Sequence, residues 1–326
     1  MGRALTAPSL QDVRDAQARI ADTVLRTPLV KLETDDADRE IYLKLENLQP
    51  IGSFKLRGAL NRMRSLSRDR LLDGVYTASA GNMAQGVAWA AREMNVAATV
   101  VVPDTAPRAK VDAVARLGAR VVPVPYDEWW RTMRDFGRDD MKGTFVHPFA
   151  DSDVMAGNGT IALEVLEDLP DVDTILVPWG GGGLTCGIAA TAHAAGAKVR
   201  VYACEVAGAA PLAAALASGQ PVPVTPGRSF VDGIGGRGVF PEVWELARPL
   251  IAGSLVSTVE QVADAVRVLA RSARVVAEGA GAAPVAAART QLASLASPAK
   301  RVVCIISGGN IDANVLATIL SGAIPD

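Results

Sequence analysis

The chain predicts an α/β fold made of two open, mostly parallel, doubly wound sheets, one in a large lobe and one in a small lobe. Two observations carry this. Short apolar runs alternate with helix-length segments through most of the 326 residues, and a strand–helix–strand rhythm requires a parallel sheet covered by helices on both faces. The length also exceeds the roughly 250 to 300 residues at which single cores stop growing. Residues 74–150 are expected to form the small lobe, and 1–73 with 151–326 the large one.

Taken in order, 9–21 reads as a helix, and Pro28 then forces an extended bend. The strand-like run 41–45 gives way to breakers at Pro50 and Gly52, after which Ser53 is the expected N-cap of a helix reaching about Leu66. Its apolar stripe, Leu56, Ala59, Leu60 and Met63, leaves Lys55 in the first turn on the shoulder of the buried face. Segments 74–79, 97–103 and 119–124 read as buried strands, separated by helices at about 83–94 and 107–117, the second closed by Gly118.

The alternation resumes in the second half. A helix at about 153–168 leads to the strand 174–179, four glycines, and a small-residue helix from Leu184 that Gly196 ends. Then come the strand 199–204, a helix opened by the capping box Ser257-x-x-Glu260, and a last strand 302–306 that breaks at Ser307-Gly308-Gly309-Asn310. No regulatory domain is expected after this strand.

Composition narrows the function classes. Half the residues are apolar and a fifth charged, which suits a soluble globule, and the net charge is −2 with both signs interleaved. A nucleic-acid or anionic-membrane surface is therefore not expected. Cys186, Cys204 and Cys304 lie in or beside apolar runs, as core residues of a reducing compartment do. With His147 and His193 the only histidines, a histidine triad or zinc cluster has little to draw on. The opening Met1-Gly2-Arg3-Ala4-Leu5-Thr6 matches the loose N-myristoylation pattern, which arises easily by chance. No signal-peptide core or long apolar run is present, so the expected location is the cytoplasm.

The chemistry sits at strand ends, where open α/β sheets place their ligands. A strand, Gly180-Gly181-Gly182-Gly183 and a helix make an anion cradle, because backbone without Cβ atoms approaches closely and its N–H groups converge. Thr185 or Cys186 stands where a dinucleotide fingerprint needs its third glycine, and no Lys-Ser/Thr follows for a Walker A loop. Ser79-Ala80-Gly81-Asn82-Met83 opens another helix, where Ser79 or Asn82 can cap, or the N–H groups can hold a carboxylate; both can be true. Ser307 adds a hydroxyl at the end of the last strand. A lysine suited to a Schiff base, a phosphate loop, a carboxylate loop and that hydroxyl together describe pyridoxal phosphate with an amino acid bound to it.

Eight ordered segments carry a family resemblance: KLENLQPIGSFKLRGA, SAGNMAQGVA, VVPDTAPRAKVDAVARLGA, FVHPFADSDVMAGNGTIALE, ILVPWGGGGLTCGIA, VDGIG, VAEGAGAA and SGGNID. They resemble the fold-type II pyridoxal-phosphate enzymes, above all the threonine/serine dehydratases and next the serine racemases. The resemblance implies the tryptophan synthase β-subunit type of fold, β-elimination of water from a 3-hydroxy amino acid, and a homodimer. It implies that Lys55 carries the cofactor as a Schiff base and later serves as general base. Phe54 would pack on the cofactor ring, Asn82 would bond its hydroxyl, and Gly180, Gly181, Gly182, Gly183 and Leu184 would bind its phosphate. Ser307 would bond the pyridine nitrogen without protonating it as a carboxylate can, which suits elimination better than transamination.

Three departures bear on the activity. Met83 replaces the histidine usual in dehydratases, so a bulkier or more apolar substrate than threonine is expected. Ala80 stands where racemases carry the opposite-face serine, which ranks racemisation below elimination. Pro211 stands where the racemases' cation site needs a carboxylate after Glu205, so no metal site is expected. A β-replacement synthase, a non-catalytic binding protein and a nucleotide-dependent oxidoreductase are the remaining alternatives. The last is disfavoured by the failed glycine spacing, and the second by the presence of both Lys55 and the glycine loop.

Overall fold

Alternate residues of the central strands bury on opposite sides, so both faces of the larger sheet are covered. The computed structural model describes residues 5–325 apart from 35, 37 and 296. Residues 1–4, and with them most of the myristoylation pattern, lie outside the described residues. The strands are β1 (Leu29–Leu32), β2 (Glu40–Lys44), β3 (Val75–Ala78), β4 (Ala98–Pro103), β5 (Arg120–Val124), β6 (Thr144–Phe145), β7 (Thr174–Pro178), β8 (Arg200–Val206), β9 (Gly253–Ser257) and β10 (Arg301–Ile305). They form a six-stranded sheet in the order β1-β2-β10-β7-β8-β9 and a four-stranded sheet in the order β5-β4-β3-β6. Among the named strands of the described residues, only the edge pair β1 and β2 is antiparallel.

In β7, Ile175 and Val177 join one core cluster with Ile188 and Ala189 of helix Gly183–Ala194, while Leu176 joins another with Val285 of helix Gly279–Gln291. In β10, Val303 and Ile305 go with the first cluster, Val302 and Cys304 with the second. The period of two explains why these strands read as unbroken apolar runs.

Helix Lys55–Arg64 fits between helices Asn82–Glu93 and Ser152–Asp168. Leu56, Ala59, Leu60 and Met63 are buried with Val87 and Ala90 from one neighbour and Val154 from the other. At Gly157 a Cβ would stand 2.5 Å from the Arg57 carbonyl, so only glycine allows this approach.

Two expected caps are displaced. Ser53 does not cap: the N-cap is Phe54, and Ser53 instead pairs with Gly308 in an antiparallel bridge that takes it out of the capping position. The capping box lies one residue later than expected, between Thr258 and Gln261, because Ser257 is the last residue of β9, paired with Val206. Helix Tyr126–Arg134 and the short β6 are elements that local pattern did not announce.

Candidate active site

Lys55 is the first residue of its helix, and its Nζ donates to the Pro148 carbonyl at 2.8 Å. The amine lies 5.1 Å from the centre of the Phe54 ring. Burial pushes its pKa down to about 8, against the pull of Glu278. The backbone on either side is stitched to the end of β10: Phe54 N–H donates to the Ser307 carbonyl at 2.9 Å, and Gly309 N–H to that of Gly52 at 2.9 Å. This stitching holds Lys55 and Ser307 in one site despite their distance in sequence.

Two residues along the same helix, Arg57 anchors it from below. Its guanidinium bonds both oxygens of Glu46 at 2.8 Å and reaches Glu164 at 2.6 and 3.0 Å, while Lys44 bonds Glu164 from the other side at 2.6 Å. All four side chains are buried. Burial opposes the charge on Glu46, yet Arg57 holds its carboxyl below the usual range, and the Glu46 and Glu164 carboxylates hold the Arg57 guanidinium above its usual value. Two cations facing two anions in a fully bonded cluster is the arrangement in which buried charge is tolerated.

The four-glycine loop follows β7. Gly182 has φ +90 and is the N-cap of helix Gly183–Ala194, with no side chain capping it. The N–H groups of Gly183, Leu184 and Thr185 thus have no side-chain acceptor among the described residues. A Cβ on Gly181 would stand 2.3 Å from the Phe149 ring, and one on Gly183 2.7 Å from the Phe149 carbonyl. Side chains are excluded from the cradle, and the next residue, Leu184, is buried in the core beneath it.

At the end of β3, Ser79 Oγ accepts from Gly81 N–H at 3.2 Å, and Gly81 is the N-cap of helix Asn82–Glu93 without a side-chain cap. Ser79 and Asn82 therefore leave the helix N–H groups open, as a carboxylate site requires. Asn82 is engaged through both amide atoms: its Nδ2 donates to Glu278 Oε1 at 2.8 Å, and its Oδ1 accepts from Asn310 Nδ2 at 2.8 Å. One hydrogen of Nδ2 remains for a ligand.

Met83 turns into the core. It is 2 % exposed and lies in the apolar cluster with Ile51, Leu56, Leu60 and Val87. Its place on the helix face shared with Val87 and Ala90 turns it into the core, which removes the expected effect on substrate choice.

Glu278 is the site residue that the sequence reading passed over. It is buried, its pKa is raised to about 7 chiefly by that burial and then by Asp232, and Asn82 opposes the shift. The signal in the sequence is the single carboxylate within VAEGAGAA. A Cβ on Gly308 would stand 2.6 Å from Glu278 Oε1, which places the carboxyl against the Ser307-Gly308 turn. Glu205 is spent elsewhere, accepting from Leu212 and Ala213 N–H at 2.9 and 2.8 Å and from Ser254.

The residues present fit pyridoxal phosphate. Ser307 is 3 % exposed and its hydroxyl has no protein partner among the described residues, and the Ser53 hydroxyl is buried without one. Together with the uncapped glycine cradle, these are orphaned donors around a buried amine, a pattern that apolar packing alone would not retain.

The comparisons agree. The family described as "Pyridoxal-phosphate dependent enzyme" matches residues 20–308. The L-threonine ammonia-lyase of Thermotoga maritima is 39 % identical over 317 residues, covering 96 % of this chain and 78 % of the relative. The structure of maize serine racemase aligns with a TM-score of 0.88 at 31 % identity, covering 97 % of this chain and 98 % of the other. That of threonine deaminase isoform 2 from Solanum lycopersicum aligns at 0.84 and 32 %, covering 98 % and 91 %. The chain belongs to the pyridoxal-phosphate-dependent enzyme family, of the fold-type II branch.

Proposed function

We propose that the protein is an ammonia-lyase that removes water from a 3-hydroxy amino acid of the serine/threonine type, releasing a 2-oxo acid and ammonia. The carrying observation is the buried Lys55 amine beside the Ser307 turn, whose pKa burial lowers to about 8, so that it gives up its proton far more readily than a free lysine. Pyridoxal phosphate, when bound, supplies the electron sink for breaking the substrate's α-C–H bond.

The chain's own residues divide the remaining work. Lys55 Nζ binds the cofactor and moves the α-proton, oriented by the Pro148 carbonyl. Phe54 packs on the ring, Asn82 offers its free Nδ2 hydrogen to the ring hydroxyl, and Ser307 offers its hydroxyl to the ring nitrogen. The N–H groups of Gly180 to Leu184 hold the phosphate, and Ser79, Ala80, Gly81 and Asn82 with the helix behind them hold the substrate carboxylate. Ala80 carries no proton donor for the opposite face, so elimination is preferred to racemisation.

The division into a mobile 74–150 lobe and a large remainder rests on the four-stranded sheet, whose strands fall between Val75 and Phe145. Two ion pairs cross from its helices to the other lobe, Lys110 to Asp232 and Arg237 to Asp127. No helix among the described residues is long and apolar enough to cross a membrane. The homodimer and the cytoplasm are adopted as the family's usual habit. Oxo-acid and ammonia release from L-serine and L-threonine, with and without an added thiol, tests the activity: equal ammonia in both supports elimination, and a thioether product in place of oxo acid would mean β-replacement.

A further inference from the structure

Beside the glycine loop lies a cavity of about 120 Å³ whose walls are mostly aromatic, Trp129, Trp130, Phe149, Trp179 and Phe240, with Met133 among them. The remaining lining is Val239 and glycines, so no charged side chain reaches it. The cavity borders the reaction site on two sides. Gly180 and Gly181 belong at once to its wall and to the anion cradle, and Phe149 follows Pro148, whose carbonyl holds Lys55 Nζ.

Resting on the lyase reading above, we infer that this cavity receives the β-substituent of the substrate, and that the preferred 3-hydroxy amino acid carries an aromatic or similarly large apolar group on its β-carbon. Size supports this first. An apolar cavity of about 150 Å³ takes up benzene, whereas the methyl group of threonine would leave most of this one unfilled and its lining without contacts.

The walls from the two lobes also meet in this arrangement. Phe149 and Trp130 meet Phe240 edge-on at 5.0 and 5.6 Å. The segment that carries Phe240 is tied to helix Tyr126–Arg134 by Arg237, which bonds Asp127 at 2.9 Å and lies 4.4 Å from the Tyr126 ring. Two of the lining residues, Trp129 and Trp179, have buried indole N–H groups without an acceptor among the described residues, and the face of an aromatic guest is a weak acceptor for such donors. The apolar preference that position 83 suggested thus belongs to this cavity.

The test uses the enzyme with its cofactor and compares kcat/KM for L-serine, L-threonine and L-3-phenylserine by oxo-acid release. It also compares the binding of L-phenylalanine and L-alanine, which lack a leaving hydroxyl, through tryptophan fluorescence. The expected result is a preference of at least about tenfold for phenylserine over serine and for phenylalanine over alanine, the scale of discrimination that an apolar pocket gives. Gly236→Val narrows the cavity, since a β-carbon there stands 3.8 Å from the Trp130 ring, and lowers the phenylserine-to-serine ratio. Turnover of serine and threonine without phenylserine, or phenylalanine bound no better than alanine, would overturn the subsite and leave the lyase reading intact. Tight phenylalanine binding without turnover of any of the three would overturn the lyase reading and keep the subsite.

Discussion

Arg57 grips Glu46 with two parallel hydrogen bonds of 2.8 Å, two residues along the helix from Lys55. Removing the guanidinium strands Glu46 and Glu164 as buried anions with only Lys44 to balance them. Arg57→Leu should therefore cost roughly 3–5 kcal/mol in urea unfolding. A loss comparable to that of a surface ion pair, about 0–1 kcal/mol, would show that the cluster does not hold the helix.

The lysine's pKa sets a pH dependence. Below about 8 the Lys55 amine is protonated and cannot attack an aldehyde; above it the amine is neutral. The rate at which cofactor-free protein captures pyridoxal phosphate should rise with pH and level off above about 8, followed by the growth of visible absorbance. Folding is linked with the same sign: the unfolded chain keeps this proton between about 8 and 10.5, so the lysine makes the cofactor-free protein more stable as pH rises through that window. A capture rate still climbing steeply at pH 10 would contradict the shift.

Two glycine replacements separate binding from backbone strain. Gly183→Ala places a methyl 2.7 Å from the Phe149 carbonyl at the phosphate cradle and should weaken pyridoxal phosphate binding about a hundredfold, ~2.7 kcal/mol. Gly196→Ala has open space but φ +69, and should cost only ~1 kcal/mol of stability. Equilibrium dialysis and thermal melts of both variants give the comparison, and equal effects on binding would count against the cradle.

Met83 should behave as a core residue. Met83→Ala is expected to lose about 2–5 kcal/mol of stability, the range for opening a buried cavity, while the relative rates on serine and threonine stay as they are. A changed substrate ratio with unchanged stability would restore it to the substrate site.

The parts of the site that could be read from sequence are those whose chemistry is local. Lys55, the four glycines and the Ser79 loop each announce a helix start by local pattern, and the structure has a helix begin at each of the three. Glu278, Pro148 and Asn310 act through partners distant in sequence: the Asn310–Asn82–Glu278 chain exists only once β10 and the β3 loop meet. The aromatic cavity was hidden for the same reason, because Trp129 and Phe240 come from separate segments. Ser53 and Ser257 were misread as caps because a hydroxyl before a helix is a good signal until sheet pairing claims the residue, as the Gly308 bridge and β9 do. Met83 was judged by its neighbours in the loop, whereas the helix face decided where it points.

The central claim is that Lys55 holds pyridoxal phosphate and drives elimination. The visible absorption spectrum of the protein supplied with pyridoxal phosphate, recorded beside that of Lys55→Ala during addition of a 3-hydroxy amino acid, tests it most directly. A visible band lost in the variant is expected, with ammonia formed only by the unaltered protein. A band that survives Lys55→Ala, or ammonia release at the same rate from both, would contradict it.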